Sequence, residues 1–272
     1  MPGADRGVCA RPSRENPAMS TMSVRLVGGP TAVLEYGGLR WLTDPTFSPP
    51  GEYAGGLVKT TGPAVAIDGL GPINVVLVSH DHHSDNFDPA GRELALRLPR
   101  VLTTSAGAAR LGGDVVGLDP WDAITVDAPD GAAVTVTAVP ALHGPPGSEQ
   151  VTGPVIGFLL SCPGQERVYI SGDNASLDVV RTIAERAGPI PVAILFAGAV
   201  QLSHRFDGAY LTLSADRAAD AAVILEARTA IPLHFEGWTH FTQGADELRA
   251  AFHGNGIADR LLIPRRGETV VA

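Results

Sequence analysis

The chain has 272 residues, 44% of them hydrophobic, which is enough for a sizeable core in one large domain or two small ones. Its 29 acidic and 20 basic residues give a formal charge of -9, which argues against a nucleic-acid-binding surface, because such a surface needs a basic face. No apolar run reaches the roughly 18 to 20 residues of a membrane helix, and the first residues lack a secretion signal. We therefore expect a cytoplasmic protein that binds neither nucleic acid nor membrane, and the sequence leaves a homo-oligomer open.

The two cysteines, Cys9 and Cys162, cannot form a disulfide framework or a cysteine zinc cluster. Any metal in this protein must therefore be held by histidine and carboxylate. Residues 1 to 22 mix proline, glycine and charge without periodicity, and we expect a disordered tail there. We expect residues 23 to 272 to form a single domain.

From Ser23 the chain shows short strand-like runs separated by glycine and proline, as hairpins require. They are SVRLVG, TAVLEYGG and LRWLTD. Residues 45 to 71 predict a long loop, and loops of that length are usually functional or mobile. The run INVVLVSH predicts a buried strand, and Asp88 followed by Pro89 predicts the start of a helix in DPAGRELALRLP.

The rest of the chain alternates strands with helices. Strands are predicted in RVLTTS, AITVDAPDGAAVTVTAVPALHG, VIGFLLSC, RVYISGD, VAILFAG, TAIPLHF and RLLIPRRGETV. A turn or short helix is predicted in GAARLGG, and longer helices in SLDVVRTIAERAG, in SADRAADAAVILEA, capped by Ser214, and in ADELRAAFHGNG. This order favours an α/β fold of two sheets with helices outside, a four-layer αββα sandwich; an open doubly wound sheet is the alternative.

Four of the predicted strands end in a residue that can bind a metal ion. These residues are His80, His143, Asp173 and His234. Because strand ends that share one edge of a sheet bring distant residues together, we expect one cleft to gather all four. Zinc, iron and manganese bind imidazole nitrogen and carboxylate oxygen, and such an ion can polarise a substrate and activate water.

The segment SHDHHSDN, residues 79 to 86, adds further candidate ligands directly after a predicted strand. The spacing of His80 and His82 suits two ligands on one side of an extended segment, while Asp85 could reach a second ion. A single histidine after a strand is more often a surface residue. Four strand-end groups beside a loop with three histidines are hard to explain by chance.

The segments SHDHHSDN, HGP, SGDN and PLHFEGW, in this order and at these separations, resemble the metallo-β-lactamase superfamily. Its first motif is HxHxDH, and its later motifs supply His, Asp and His. The pair Asp44-Pro45 is similar to the branch of L-ascorbate-6-phosphate-lactonase-like hydrolases. The resemblance covers about residues 23 to 270. It implies an αββα sandwich and a metal-dependent hydrolase with one or two ions, zinc first and manganese or iron as alternatives.

The first motif departs from the family pattern. HxHxDH requires Asp and His where this chain has Ser84 and Asp85. Aligning Asp85 with the family aspartate makes His83 the second histidine, whereas aligning from His80 keeps His82. Both alignments stay open.

The resemblance implies two sets of ligands. The first set is His80, His82 and His143; the second is Asp85, Asp173 and His234, with His83 as a further candidate. Asn86, which follows Asp85, is a poor replacement for imidazole on zinc, so the sequence leaves one or two ions open. Asp44 and Asp81 are candidates for orienting histidines, or else ordinary turn residues.

Asp85, Asp173 and His240, the last in the segment HFEGWTHF, are candidates for catalysis. We expect Asp85 or Asp173 to orient the attacking water, and His240 to donate a proton or bind an oxyanion. His204 and Arg205 are candidates for contact with an acidic substrate, or else surface residues.

The leading hypothesis is a hydrolase that uses a metal-activated water on an ester, lactone, amide or phosphodiester bond of a small molecule. The lack of a GxSxG elbow fits, because no side-chain nucleophile is needed. The loops at 45 to 71, 144 to 154 and 200 to 212 contain few cations, which argues against highly charged phosphate substrates. The alternatives are an iron-dependent redox enzyme and a non-catalytic binding protein with a degenerate metal site.

Overall fold

The structure is a computed structural model that describes residues 22–202 and 206–272. Fifteen strands form in this part of the chain. They are β1 (Ser23–Gly28), β2 (Thr31–Tyr36), β3 (Leu39–Thr43), β4 (Gly51–Tyr53), β5 (Leu57–Lys59), β6 (Val75–Leu77), β7 (Val101–Thr104), β8 (Val116–Leu118), β9 (Ala123–Asp127), β10 (Ala133–Pro140), β11 (Ile156–Ser161), β12 (Val168–Ile170), β13 (Val192–Phe196), β14 (Thr229–Leu233) and β15 (Thr269–Val271). Seven strands form one sheet in the order β15-β1-β2-β3-β6-β7-β8, and six form a second in the order β14-β13-β12-β11-β10-β9.

Six α-helices accompany the strands in the described residues. They are α1 (Pro89–Ala95), α2 (Ser105–Leu111), α3 (Glu149–Thr152), α4 (Leu177–Ala187), α5 (Ala215–Ile224) and α6 (Ala245–Gly254). The predicted caps are confirmed, since the side chain of Asp88 accepts from the Gly91 N–H at 2.8 Å and that of Ser214 from the Arg217 N–H at 3.3 Å. The predicted loop at 45 to 71 contains the β4–β5 hairpin, whose strands of three residues are too short to show an alternating pattern.

The two sheets pack face to face, and alternation along each strand divides the apolar residues between two interfaces. In β6, Val75 and Leu77 join the core between the sheets, together with Ile194 and Phe196 of the second sheet. Val76 points the other way, to the cluster that the first sheet shares with α1. This is the period-two pattern of strands that are covered on both faces.

The outer faces of both sheets are covered by helices. Residues of α4, α5 and α6, such as Ile183, Ala219 and Phe252, pack on Ala193 and Leu195 of the second sheet. Three apolar interfaces therefore separate four layers, and the predicted αββα sandwich is confirmed. The alternative, one open doubly wound sheet, is wrong because the strands divide into two sheets that bury a common core.

The predicted tail, residues 1 to 22, lies outside the described residues except for Met22, and so does Cys9. The side chain of Met22 is buried between the sheets. None of the helices in the described ranges combines the length and the apolar character that crossing a membrane takes.

Strand direction brings the candidate residues to one rim of the sandwich. In the second sheet β12, β13 and β14 are parallel, and β10 runs the same way because two antiparallel pairings separate it from β12. In the first sheet β3 and β6 are parallel. The carboxyl ends of parallel strands lie at the same edge of a sheet. The residues that follow these ends are Asp44, His80, His143, Asp173 and His234.

A buried ion pair anchors the β4–β5 hairpin to the start of α1. Lys59 Nζ lies 3.0 Å from Asp88 Oδ2, and both side chains are almost fully buried. The Asp88 carboxylate also accepts from the backbone N–H groups of Phe47, Ser48 and Gly91. Burial lowers the pKa of Lys59, and the charge of Asp88 works against this shift. Removal of one partner would leave the other charge buried and unpaired.

We predict that Asp88→Ala lowers the free energy of unfolding by about 3 to 5 kcal/mol, because it removes a helix cap and unpairs Lys59. Urea denaturation of the two proteins measures the difference. Asp178→Ala is the matched control, since its carboxylate pairs with Arg181 while 91% exposed, and it should change stability far less. Equal losses in the two variants would contradict the assigned role of Asp88.

Candidate metal centre

Two groups of three side chains meet at the rim where the strands end. In each group the candidate ligand atoms all lie within 4.8 Å of one another. The first group is His80, His83 and His143, and the second is Asp85, Asp173 and His234. All four strand-end residues predicted to share one cleft do meet there.

Each histidine of the first group has a ring nitrogen available on the inner side. His80 Nε2 lies 2.9 Å from His83 Nδ1, and the His143 ring centroid is 5.3 Å and 5.2 Å from those of His80 and His83. The Nδ1–H of His143 donates to the Leu211 carbonyl at 2.7 Å, which leaves Nε2 with a free lone pair. Burial and the neighbouring histidines hold the pKa of His80 well below its usual value, so its ring stays neutral, as a metal ligand must be.

A hydrogen-bond chain from Asp44 sets the tautomer of His80. The Ser79 N–H donates to Asp44 Oδ1 at 2.6 Å, and the Ser79 hydroxyl donates to Asp44 Oδ2 at 2.8 Å. Because that hydroxyl proton is already used, Ser79 Oγ must accept from His80 Nδ1–H, 3.0 Å away. His80 therefore presents Nε2 to the first group. The sequence suggested that Asp44 orients a histidine. In the structure Asp44 does so indirectly, because Ser79 lies between it and His80.

The second group places a histidine between two carboxylates. His234 Nε2 is 3.5 Å from Asp85 Oδ2, and its Nδ1 is 3.3 Å from Asp173 Oδ1. Burial disfavours the charged imidazole, but the two carboxylates outweigh it and raise the pKa of His234. Burial likewise disfavours the charged Asp85, but the close approach of His234 and the hydrogen bond from His240 hold its pKa well below the usual value. Asp85 is therefore an ionised oxygen donor.

The backbone of His234 is held in an unusual conformation. Its φ is +57°, in the left-handed region that residues other than glycine rarely adopt. The His234 N–H donates to the Gly29 carbonyl at 2.8 Å, which ties this turn to the first sheet. Such strain persists only where the surrounding structure imposes it, and it is concentrated at functional sites.

Asp173 contacts both groups. Its Oδ1 faces His234, while its Oδ2 lies 3.6 Å from His143 Nε2. The Asn86 side-chain amide donates to Asp173 Oδ1 at 3.1 Å and to Asp44 Oδ2 at 3.3 Å. Asn86 thus positions two carboxylates, and both groups of three assemble without it as a ligand.

The structure separates the two histidines that the alignments left open. His83 lies in the first group, with His80 and His143. His82 belongs to neither group; its side chain is 28% exposed and packs against Gly153. The resemblance made His83 a candidate for the second set of ligands, with Asp85, Asp173 and His234. The structure places it in the first group instead. The neighbouring Asp81 binds Arg110 through both carboxylate oxygens.

His240 reaches the second group from the loop after β14. Its Nε2–H donates to Asp85 Oδ2 at 2.8 Å, while its Nδ1 is buried without a hydrogen-bond partner in the described residues. This loop is held by the β4–β5 hairpin, because the Thr239 N–H donates to the Val58 carbonyl and the Thr60 N–H to the Gly237 carbonyl. His204 and Arg205 lie outside the described residues.

The donor atoms fit a divalent cation. Asp173 Oδ2 and both ring nitrogens of His234 are buried without a hydrogen-bond partner in the described chain. Buried polar groups without partners are costly and therefore rare. Three imidazoles in one group, and two carboxylates with one imidazole in the other, are the nitrogen and oxygen donors that zinc, iron and manganese accept.

The sequence did not indicate two residues that build this centre. Ser79 links Asp44 to His80 by hydrogen bonds, and its only feature in the sequence is its place directly before the histidine loop. Gly172 has φ +56°, and a Cβ there would lie 2.7 Å from the Ile156 carbonyl oxygen and 2.8 Å from Ser79 Cβ. Glycine in SGD therefore permits the close approach of the two sheets' loops that brings Asp173 to the histidines.

Comparison with known proteins agrees with this geometry. Residues 40–235 match the sequence model of a family described as beta-lactamase superfamily domain. A UPF0173 metal-dependent hydrolase from Anaeromyxobacter dehalogenans (strain 2CP-C) is 28% identical over 226 residues, which cover 79% of this chain and 72% of the relative.

Solved structures share the fold. The isothiocyanate hydrolase from Delia radicum gut bacteria superposes with a TM-score of 0.78 at 21% identity, over 92% of this chain and 100% of that chain. A possible metal-dependent hydrolase from Veillonella parvula DSM 2008 superposes with a TM-score of 0.78 at 18% identity, over 93% of this chain and 99% of that chain.

We predict that His83→Ala lowers the divalent metal bound per chain at least tenfold, whereas His82→Ala changes it less than twofold, because only His83 lies beside His80 and His143. Elemental analysis of both variants, purified without chelator, measures the difference. The reverse order of the two variants would show that His82 is the ligand.

We predict that Ser79→Ala weakens metal binding about 10- to 100-fold, because His80 loses the partner that fixes its tautomer. Competition with a coloured chelator measures the affinity. Ser105→Ala, an exposed position at the start of α2, is the matched control and should leave the affinity unchanged. An unchanged affinity in Ser79→Ala would remove the orienting role.

Proposed function

The chain belongs to the beta-lactamase superfamily domain family, and from this premise we propose that it is a metal-dependent hydrolase that acts on a small molecule in the cytoplasm. The observation that carries the proposal is the meeting of two three-residue donor groups with Asp173 in contact with both. The name of the Anaeromyxobacter dehalogenans relative, a metal-dependent hydrolase, supports the same reaction class.

In this proposal His80, His83 and His143 hold one ion, while Asp85, Asp173 and His234 hold the second. Zinc suits the three imidazoles, and manganese or iron are alternatives, above all in the more carboxylate-rich group. When bound, such ions lower the pKa of water and polarise the bond to be hydrolysed. An ester, lactone, amide or phosphodiester bond is a candidate, and the similarity in fold to an isothiocyanate hydrolase adds the isothiocyanate group.

The protein's own residues have separate tasks in this reaction. Asp85, which is ionised, and Asp173, which faces both groups, accept hydrogen bonds from the attacking water and so orient it. His240 keeps a proton on Nε2 for Asp85, and its Nδ1 is available to exchange a proton with the substrate. The chain of Asp44, Ser79 and His80 keeps the first group in place during the reaction.

We predict that the protein purified without chelator contains divalent metal and hydrolyses at least one compound class in a screen of lactones, thioesters, esters, phosphodiesters and isothiocyanates. A chelator should abolish this activity, and added zinc or manganese should restore it and raise the melting temperature, because the ion binds only the folded state. Elemental analysis, turnover and thermal denaturation are the measurements.

The variants His80→Ala, His143→Ala and His234→Ala should each lose at least tenfold in bound metal or activity. His253→Ala is the control, since His253 lies on α6 and in neither donor group. Two outcomes would contradict the proposal. Iron whose absorbance changes on reduction, without hydrolysis, would favour a redox enzyme; little metal and no thermal shift would favour a non-catalytic binding protein.

A further inference from the structure

A small apolar pocket opens beside the candidate metal centre. It borders on His83, Asp85, His143 and His240, and its remaining described wall is mostly aliphatic and aromatic. The apolar side chains are Leu57, Val151, Val200, Leu202, Phe206 and Leu211. They come from β5, from α3 and from the segment after β13, so several parts of the fold contribute apolar side chains to one wall.

The apolar character extends from the interior of the pocket to its entrance. Val200 and Leu211 are each 3% exposed, whereas Val151 on α3 is 56% exposed. An apolar ligand group would therefore contact an apolar side chain, Val151, on the solvent-exposed side of the pocket and apolar side chains in its buried interior.

The described part of the wall carries no lysine or arginine. Its ionisable side chains are the four that border on the metal centre, and Thr152 is the remaining polar residue. Against this described part of the wall, a charged group of a substrate would lose its water without gaining a lysine or arginine as partner, which is unfavourable, whereas an apolar group gains from leaving water.

The pocket is also small. Its volume is about 50 Å³, whereas sites for drug-sized ligands occupy roughly 300 to 1,000 Å³. The space admits one compact group rather than a whole large molecule.

We propose that the substrate places a small, uncharged, apolar substituent in this pocket, directly beside the bond that is cleaved. This inference rests on the proposed function, since it names the substrate class of the same site. Substrates with a short alkyl group fit, and substrates with a phosphate or carboxylate at this position do not.

A matched pair of ligands tests the pocket without turnover. Butyrohydroxamic acid and succinic monohydroxamic acid share a metal-chelating head, and their tails have the same length and differ by a methyl group against a carboxylate. Calorimetric titration of the metal-loaded protein should show at least tenfold tighter binding of butyrohydroxamic acid. Equal affinity, tighter binding of the carboxylate tail, or binding of neither ligand would overturn the inference.

A charge placed in the wall should change this preference. Leu57→Lys adds a cation to the pocket and should lower the ratio of the two affinities at least tenfold. Val223→Lys adds the same charge at an exposed position on α5, away from the pocket, and should leave the ratio unchanged. Metal content, measured in both variants, separates a change in the pocket from loss of the ion. A ratio that is the same in both variants would overturn the inference.

The sequence also suggested Arg205 as a contact for an acidic substrate, which is the opposite expectation. If that contact determines binding, Arg205→Ala should selectively weaken succinic monohydroxamic acid, and that result would count against the apolar pocket.

Turnover separates the two proposals. Hydrolysis of the screened compounds without preference for apolar substituents would remove this inference alone. The ligand preference without hydrolysis of any compound would remove the proposed function and leave only an apolar binding pocket beside the centre.

Discussion

Six ionisable side chains, five of them buried and one partly buried, meet at one rim of the sandwich, and this is the constraint on which the structure depends. Burial of charge is costly unless each group finds a partner of opposite charge or a hydrogen bond. Here two carboxylates raise the pKa of His234, while burial, followed by the neighbouring histidines, lowers the pKa of His80 and of His83. Positive ions would satisfy both arrangements at once, since they attract the carboxylates and use the lone pairs of the neutral rings.

The surroundings of the centre are built to hold these groups in one geometry. Ser79 joins Asp44 to His80, the Leu211 carbonyl orients His143, and Asn86 links Asp44 to the carboxylate of Asp173. The contacts of Asp44 with Ser79, of His143 with Leu211 and of Asn86 with Asp173 join residues 35, 68 and 87 positions apart, so the ligand geometry follows from tertiary packing. The strained φ of His234 shows that this packing outweighs the local preference of the backbone.

The small hairpin β4–β5 connects the core to the rim that carries the candidate metal centre. Lys59 anchors it to Asp88 at the start of α1, and Leu57 from the same strand lines the apolar pocket. Backbone hydrogen bonds from the hairpin also hold the loop that carries His240 to Asp85. The buried ion pair on one side of the hairpin thus supports the wall of the apolar pocket and the loop that carries His240 on the other.

The sequence alone determined the fold class and the neighbourhood of the centre. Apolar runs with period two, the caps at Asp88 and Ser214, and the order of strands and helices predict the sandwich because these patterns are local. Ligand residues at four strand ends predict a shared cleft because parallel strands end at a common edge.

Only the tertiary structure decided which histidine joins which group. His82 and His83 are adjacent, and a difference of one residue reverses the direction of a side chain in an extended segment, so local sequence cannot choose between them. Packing against His143 from the second sheet brings in His83, and the close contact of Gly153 keeps His82 outside. Likewise, the role of Ser79 depends on its hydrogen bonds to Asp44, 35 residues earlier in the chain. The apolar pocket is lined by β5, by α3 and by the segment after β13, which no local pattern brings together.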